Sequence, residues 1–295
     1  MLAVVLALAS SAVYGLSDFL GGLKSRSTPL LGVLLVSQGT ALVLVAILVL
    51  AVGDGPPATG YLLFAVLAGA SEAIGVAALY RGLAVGTMGV VAPVAATTPV
   101  VPVVVGIALG ELPAPVQVVG IALAVVGIVL TARAGAPADR GDPPDSAGAS
   151  DRGGPVAVGV AASVLFGLLA SLGFGTFYVA MDAASEGDVP WALLVARVSA
   201  VAIFVGAACL SRARLGLRRA DGPVLASIGV LIVGADATFA LASNEGLLGV
   251  VAVLSSLYPL VTIGLARAYL HERLARRQRI GVAACLVGAV ALSAG

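Results

Sequence analysis

Long apolar stretches separated by short polar breaks run through almost the whole chain. About 20 mostly apolar residues suffice for a helix to cross the hydrocarbon core of a bilayer. The breaks contain turn-forming residues, as in Asp54-Gly55-Pro56-Pro57 and Gly187-Asp188-Val189-Pro190. The pattern therefore predicts an all-α integral membrane protein with ten spans. They lie near residues 2–22, 30–52, 59–80, 88–109, 115–132, 155–180, 190–210, 222–244, 247–269 and 278–294.

One segment differs in kind from the apolar stretches. Residues 134–154 contain Ala, Gly, Pro, Asp, Ser and Arg but no large apolar side chain. Such a composition cannot build a packed core and is typical of a flexible linker. It divides the chain into two halves of five spans each, residues 1–133 and 155–295.

The overall composition limits the functions that are open to the chain. Of its 295 residues, 60% are hydrophobic and 11% are charged, whereas soluble domains carry about 25% charged residues. A soluble enzyme or a nucleic-acid-binding protein is therefore excluded. Cys209 and Cys285 both lie in apolar runs, and His271 is the only histidine. We accordingly expect no metal site and no cofactor.

The two halves resemble each other in sequence. Gly89-Val90-Val91-Ala92 in the fourth span recurs as Gly249-Val250-Val251-Ala252 in the ninth, and Pro99 then corresponds to Pro259. Further pairs follow in order: Glu111 with Glu272, Gln117 with Gln278, Gly120 with Gly281, and Gly127 with Gly288. The ordered series indicates an internal repeat.

The loop charges indicate that the second repeat is inverted. Basic residues stay on the cytoplasmic side of a membrane, and an odd number of spans turns the second copy over. Lys24 and Arg26 follow the first span, whereas the equivalent loop after the sixth has Asp182, Glu186 and Asp188. The other basic loops also have counterparts without basic residues. These basic loops are the one after the third span, with Arg81, the one after the seventh, with Arg212, Arg214, Arg218 and Arg219, and the one after the ninth, with Arg273, Arg276, Arg277 and Arg279.

Inverted repeats are characteristic of transporters, with the substrate site near the membrane midplane. The same charges predict that the linker and the basic loops are cytoplasmic and that both termini face outward. We expect the protein to be a multi-pass protein of the plasma membrane.

Several motifs resemble a known family. The run Ser255-Ser256-Leu257-Tyr258-Pro259-Leu260, the later Leu270-His271-Glu272-Arg273-Leu274 and Gly110-Glu111-Leu112 are similar to those of the drug/metabolite transporter superfamily, EamA type. The resemblance implies ten spans in two repeats and transport of a small metabolite or drug-like molecule, in many members as export. It also implies an alternative orientation, because family members often place both termini in the cytoplasm.

Four ionisable residues lie inside the predicted spans, namely Asp18, Glu72, Arg197 and Asp236. A charged residue at the centre of a membrane helix costs about 2.5–3.5 kcal/mol on insertion scales, so these residues are candidate functional residues. In one interpretation they line a central cavity, where the acids bind a cationic group or a proton and Arg197 holds a substrate carboxylate or phosphate. In the other, Arg197 pairs with Glu72 or Asp236 and only fixes the helices.

Three tyrosines and two prolines complete the candidate site. Tyr14, Tyr80 and Tyr258 each combine an apolar ring with a polar hydroxyl that can face a ligand. Pro99 and Pro259 break their helices, and such breaks often line the path of a transporter. Packing kinks that touch no ligand remain the alternative.

These observations predict a secondary active transporter, with export favoured, that works by alternating access. The expected partners are the lipid bilayer, a small-molecule substrate and a coupling proton or cation, with no nucleic acid. We expect a monomer rather than a dimer, because one chain contains both repeats. We do not expect an enzyme, because no two acids lie within one turn of each other inside a span. A passive channel or a non-transporting membrane receptor is the alternative.

Overall fold

The computed structural model describes residues 1–25, 28–52, 55–85, 91, 94–135, 160–212, 215–270 and 276–293. Within these ranges the chain is helical, with no β-strand. We number the helices α1 to α11 in chain order. Those of the first half are α1 (Leu2–Ser25), α2 (Leu30–Val52), α3 (Thr59–Val85), α4 (Val100–Ala108) and α5 (Pro115–Gly135). Those of the second half are α6 (Val160–Ser185), α7 (Val189–Ser211), α8 (Gly222–Asn244), α9 (Leu248–Ser255), α10 (Tyr258–Leu270) and α11 (Arg276–Ser293).

The prediction of an all-helical membrane architecture is confirmed. Six helices of the described chain, α1, α2, α3, α6, α7 and α8, are long and apolar enough to cross a membrane. The count of ten spans stays a prediction. Residues 136–154 of the predicted linker lie outside the described residues, so the domain boundaries at 133 and 155 also stay predictions.

Two predicted spans are interrupted. Residues 96–99 form a turn before α4, and Pro99 occupies the position that precedes this helix. In the second half, Ser256 and Leu257 separate α9 from α10, and Pro259 is the second residue of α10. Proline lacks the backbone N–H that a helix interior requires, whereas the first turn of a helix tolerates it. Both helices therefore begin beside a proline instead of running through it.

Small residues allow close packing of three helix pairs, α3 with α6, α1 with α8, and α5 with α11. At the first crossing, a Cβ atom added to Gly173 would lie 2.6 Å from the Cα atom of Gly75. At the third, a Cβ atom on Gly288 would lie 2.7 Å from the backbone nitrogen of Ala124. Membrane helices approach this closely where the interface lacks large side chains.

One end of the bundle is tightly packed, and we call it the packed end. The Ser185 hydroxyl lies 2.9 Å from Oδ1 of Asn244, which joins α6 to α8. The Glu111 carboxylate accepts hydrogen bonds from the backbone N–H groups of Leu248 and Gly249, and so caps the start of α9. The largest hydrophobic cluster fills this half of the bundle, including Met181, Leu193, Phe239 and Leu254.

The opposite end, which we call the cavity end, includes the end of α1 and the starts of α2 and α8. There the Lys24 ammonium lies 2.6 Å from Oδ1 of Asp221. The chain after α7 also returns to this end, since a Cβ atom added to Gly32 would meet the carbonyl oxygen of Leu215. The two ends therefore differ, with a continuous core at one and an open space at the other.

Candidate functional site

A cavity of about 350 Å³ enters the bundle from the cavity end. Its lining extends from Gly21, Gly22 and Leu30 near that end to Tyr14 and Tyr258 in the interior. Residues of α1, α2, α3, α6, α8 and α10 form its wall. Five aromatic side chains contribute to the lining: Tyr14, Phe174, Phe177, Tyr178 and Tyr258.

A buried charged cluster lies against this cavity. The Arg197 side chain, from α7, has no exposed surface, and its Nη2 atom lies 2.5 Å from Oε2 of Glu72. The same Nη2 atom lies 2.9 Å from Oδ2 of Asp236 on α8. A second contact, 3.2 Å from Nη1 to Oε1, makes the pair of Arg197 with Glu72 bidentate. The guanidinium group thus bridges two carboxylates that come from different halves of the chain.

Two uncharged side chains complete the cluster. The Gln38 side chain, from α2, accepts a hydrogen bond from Nη1 of Arg197 at 2.5 Å and donates one to Glu72 at 3.4 Å. The Tyr14 hydroxyl, from α1, donates to Oδ1 of Asp236. Residues of α1, α2, α3, α7 and α8 therefore meet in one hydrogen-bonded network at the middle of the bundle.

The surroundings of Arg197 bear on both interpretations of this residue. Arg197 does not line the cavity, and its Nη1 and Nη2 atoms already contact Gln38, Glu72 and Asp236. Arg197 is thus paired with both acids in this structure. Its interpretation as a substrate-binding residue and its interpretation as a residue that only fixes the helices both stay predictions.

The other candidate residues occupy different places around the cavity. Glu72 and Tyr14 both line it and belong to the cluster, whereas Asp236 lies behind its wall. Asp18 lines the cavity one helical turn beyond Tyr14. The ring of Tyr258 meets that of Tyr14 edge-on, with 6.3 Å between the centroids. The side chains of Tyr80 and Pro259 lie outside the described residues.

Sequence reasoning missed Gln38 and the aromatic residues of α6. Gln38 is the only amide side chain in α2, and a lone amide inside an otherwise apolar span is a signal that the sequence does contain. The three α6 residues Phe174, Phe177 and Tyr178 carry no such signal, because an aromatic residue in a membrane helix is equally suited to face lipid. Within the described chain, no three His, Cys, Asp or Glu side chains converge as metal ligands would.

Comparison with known proteins identifies the family. The sequence profile of the EamA-like transporter family matches residues 1–133 and 161–294. The chain belongs to this family. EamA-like proteins are part of the drug/metabolite transporter superfamily, so the resemblance drawn from the motifs is confirmed. Family membership and the apolar helices together make this EamA-like chain a multi-pass membrane protein of a transporter family rather than of an enzyme family.

A solved structure has the same fold as this EamA-like chain. It is described only as "Crystal structure of protein", and it aligns with a TM-score of 0.74 at 15% sequence identity. The alignment covers 98% of this chain and 94% of the other. No curated protein matches the sequence.

Proposed function

We propose that this EamA-like protein is a secondary active transporter that exports a small molecule by alternating access, with the cavity as its substrate site. One observation carries the proposal: the cavity extends from one end of the bundle to the charged cluster, while the other end is packed. This asymmetry is what one of the two states of an alternating-access carrier requires. A passive channel, in contrast, needs a path that is open at both ends.

We further propose that the fold consists of ten spans in two inverted repeats of five. The helix contacts support this, because exchanging the two halves turns the α3–α6 pair into the α8–α1 pair and leaves the α5–α11 pair unchanged. The interruptions at residues 96–99 and 256–257 also fall at equivalent positions of the two halves. In such a fold the site lies at the interface of the two repeats, and the α3–α6 and α1–α8 pairs, each with one helix from each half, can rock about it.

The charges support an orientation in which the cavity end faces the cytoplasm. Lys24, Arg212, Arg218 and Arg219 all lie at this end. Because basic loops remain cytoplasmic, the cavity would load its substrate from inside the cell, as an exporter in the plasma membrane must. We expect a single chain to suffice, since both halves contribute residues to the charged cluster.

The contacts suggest how a bound ligand acts on the helices. Tyr14, Gln38 and Glu72 line the cavity and also contact Arg197 or Asp236. A ligand or a coupling proton or cation that changes the position or charge of these side chains would alter the contacts that hold α7 and α8 to the first half. Arg197 joins Glu72 of the α3–α6 pair to Asp236 of the α1–α8 pair, so binding in the cavity is linked to the relative position of these two pairs. A ligand that binds the two arrangements with different affinity shifts the balance between them.

The proposal is tested by transport into inside-out membrane vesicles. Vesicles that contain the protein are incubated with a pool of small metabolites, and their contents are compared by mass spectrometry with those of vesicles that lack it. We expect saturable accumulation of at least one compound, and its loss in the variants Glu72→Gln and Asp236→Asn when these insert normally. Accumulation of no compound contradicts the transport function, and wild-type accumulation in both variants contradicts the site.

A further inference from the structure

Asp18 is a carboxylate that faces the cavity. Its side chain is exposed to the interior of the cavity, and among the described residues nothing forms an ion pair or a hydrogen bond with it. Lys24, two turns further along α1, is paired with Asp221. Within the described part of the chain, no lysine or arginine belongs to the lining.

The charged cluster offers no positive charge to the same space. Its one arginine already contacts two carboxylates, those of Glu72 and Asp236. Arg197 is fully buried behind the wall and offers no donor to the cavity. A ligand carboxylate or phosphate in the cavity would therefore meet the carboxylates of Asp18 and Glu72, with no cation facing it from the described residues.

The rest of the wall fits the uncharged body of a ligand. Apolar side chains such as Val76, Leu79, Ile228 and Ile232 line the cavity together with the aromatic rings of α6. Aromatic faces attract cations when the site excludes water, and the hydroxyl groups of tyrosines can accept from an ammonium group. The cavity thus combines negative charge with an apolar and aromatic surface.

We propose that the cavity binds a monovalent organic cation with an apolar or aromatic body, and that Asp18 is the counter-charge of its cationic group. The inference deepens the proposed function by naming the chemical class of the substrate. Binding can be measured on the purified protein without transport, so the two proposals can fail separately.

Three compounds with the same phenyl body and different charge provide the test. They are 2-phenylethylamine, L-phenylalanine and 3-phenylpropionate, which are a cation, a zwitterion and an anion at pH 7. Equilibrium binding of each to the full chain in detergent gives its dissociation constant. We expect the amine to bind at least about tenfold more tightly than the other two, because only the amine forms a charge-assisted hydrogen bond without bringing a carboxylate into the cavity.

Variants of Asp18 locate the charge that produces this preference. Asp18→Asn should remove the preference for the amine, whereas Asp18→Glu should retain it. The matched control is Glu186→Gln, which neutralises an exposed acid at the packed end and should bind like the wild type.

Each outcome decides the inference. Tighter binding of the zwitterion or the anion, or binding of none of the three, overturns it, and the comparison needs no variant that could misfold. An unchanged preference in a monodisperse Asp18→Asn variant also overturns it. Selective binding of the amine together with vesicles that transport nothing supports the inference and contradicts the proposed transport function.

Discussion

At the scale of single residues, the guanidinium group of Arg197 connects the interior of the bundle, because it contacts the carboxylates of both Glu72 and Asp236. Asp18, Glu72, Arg197 and Asp236 stand out because ionisable groups are rare in apolar spans. Their contacts depend on how each helix is rotated and on which helices are neighbours. The pair of Tyr14 and Asp236, separated by 222 positions, has no local signature. That Asp18 has no partner among the described residues therefore emerges only from the structure.

Removal of Arg197 should destabilise the protein. Arg197→Met leaves the buried carboxylate of Asp236 and the partly buried carboxylate of Glu72 without their cation. Breaking a buried ion pair in this way typically costs about 3–5 kcal/mol. We expect a clear fall in the melting temperature of the purified protein. Adding Glu72→Gln and Asp236→Asn to the same chain removes the uncompensated charge and should recover part of the loss. Equal melting temperatures for the single and the triple variant would show that the charge is not buried as described.

Loss of the Tyr14 hydroxyl should have a smaller effect on the same cluster. Tyr14→Phe removes the hydrogen bond to the Asp236 carboxylate, and bonds to charged groups contribute about 1.5–3 kcal/mol. Tyr61→Phe is the matched control, because the Tyr61 hydroxyl forms no hydrogen bond with any of the described residues. Thermal unfolding of the two variants should separate them. The role of Tyr14 is refuted if both melt at the wild-type temperature.

At the scale of helices, the apolar pattern predicts most elements and the prolines mark the interruptions. α2 spans Leu30–Val52 as predicted, because turn-forming residues flank the apolar run on both sides. α3 and α6 continue to Val85 and Ser185, beyond the predicted ends at 80 and 180. Hydropathy falls before the helical hydrogen bonds end, so the pattern places these ends too early. Which helices pack together is not predictable from small residues alone, because they indicate a close contact without identifying its partner.

The crossing of α3 and α6 gives a prediction at this scale. Gly173→Ala places a Cβ atom 2.6 Å from the backbone of Gly75, so the helices must separate, and overpacking of this kind costs about 1–3 kcal/mol. Gly206→Ala makes the same chemical change on α7, where a Cβ atom meets nothing within 4 Å. We expect the melting temperature to fall for the first variant and to stay level or rise for the second. Identical shifts would contradict the close crossing.

At the scale of the whole molecule, the order of motifs and the exchange of basic loops predict two inverted halves. The sequence does not predict which end of the bundle is open. If the chain alternates, contacts that close the cavity end must form when those of the packed end break. Glu111 closes the packed end over α9, while its counterpart Glu272 lies outside the described residues. Which end is open therefore depends on the conformation of the bundle, and in this structure it is the cavity end.

A disulfide across the packed end should stop this alternation. Ser185 and Asn244 join α6 to α8 there, and α6 and α8 belong to different closely packed pairs. In a background without Cys209 and Cys285, we expect the oxidised Ser185→Cys/Asn244→Cys variant to lose transport and to recover it on reduction. Unchanged flux after complete cross-linking would contradict an opening of this end.

The most direct test of alternating access needs no substrate. A single cysteine replaces Val76, which lines the cavity, and a membrane-impermeant thiol reagent is applied separately to each side of the membrane. We expect the cysteine at position 76 to react with the reagent from both sides. When Ser185→Cys and Asn244→Cys are added and cross-linked, reaction from the side of the packed end should be lost and reaction from the side of the cavity end should remain. Two results would contradict alternating access. In one, the cysteine reacts only from the side of the cavity end, even without the cross-link. In the other, it still reacts from the side of the packed end after that end is fully cross-linked.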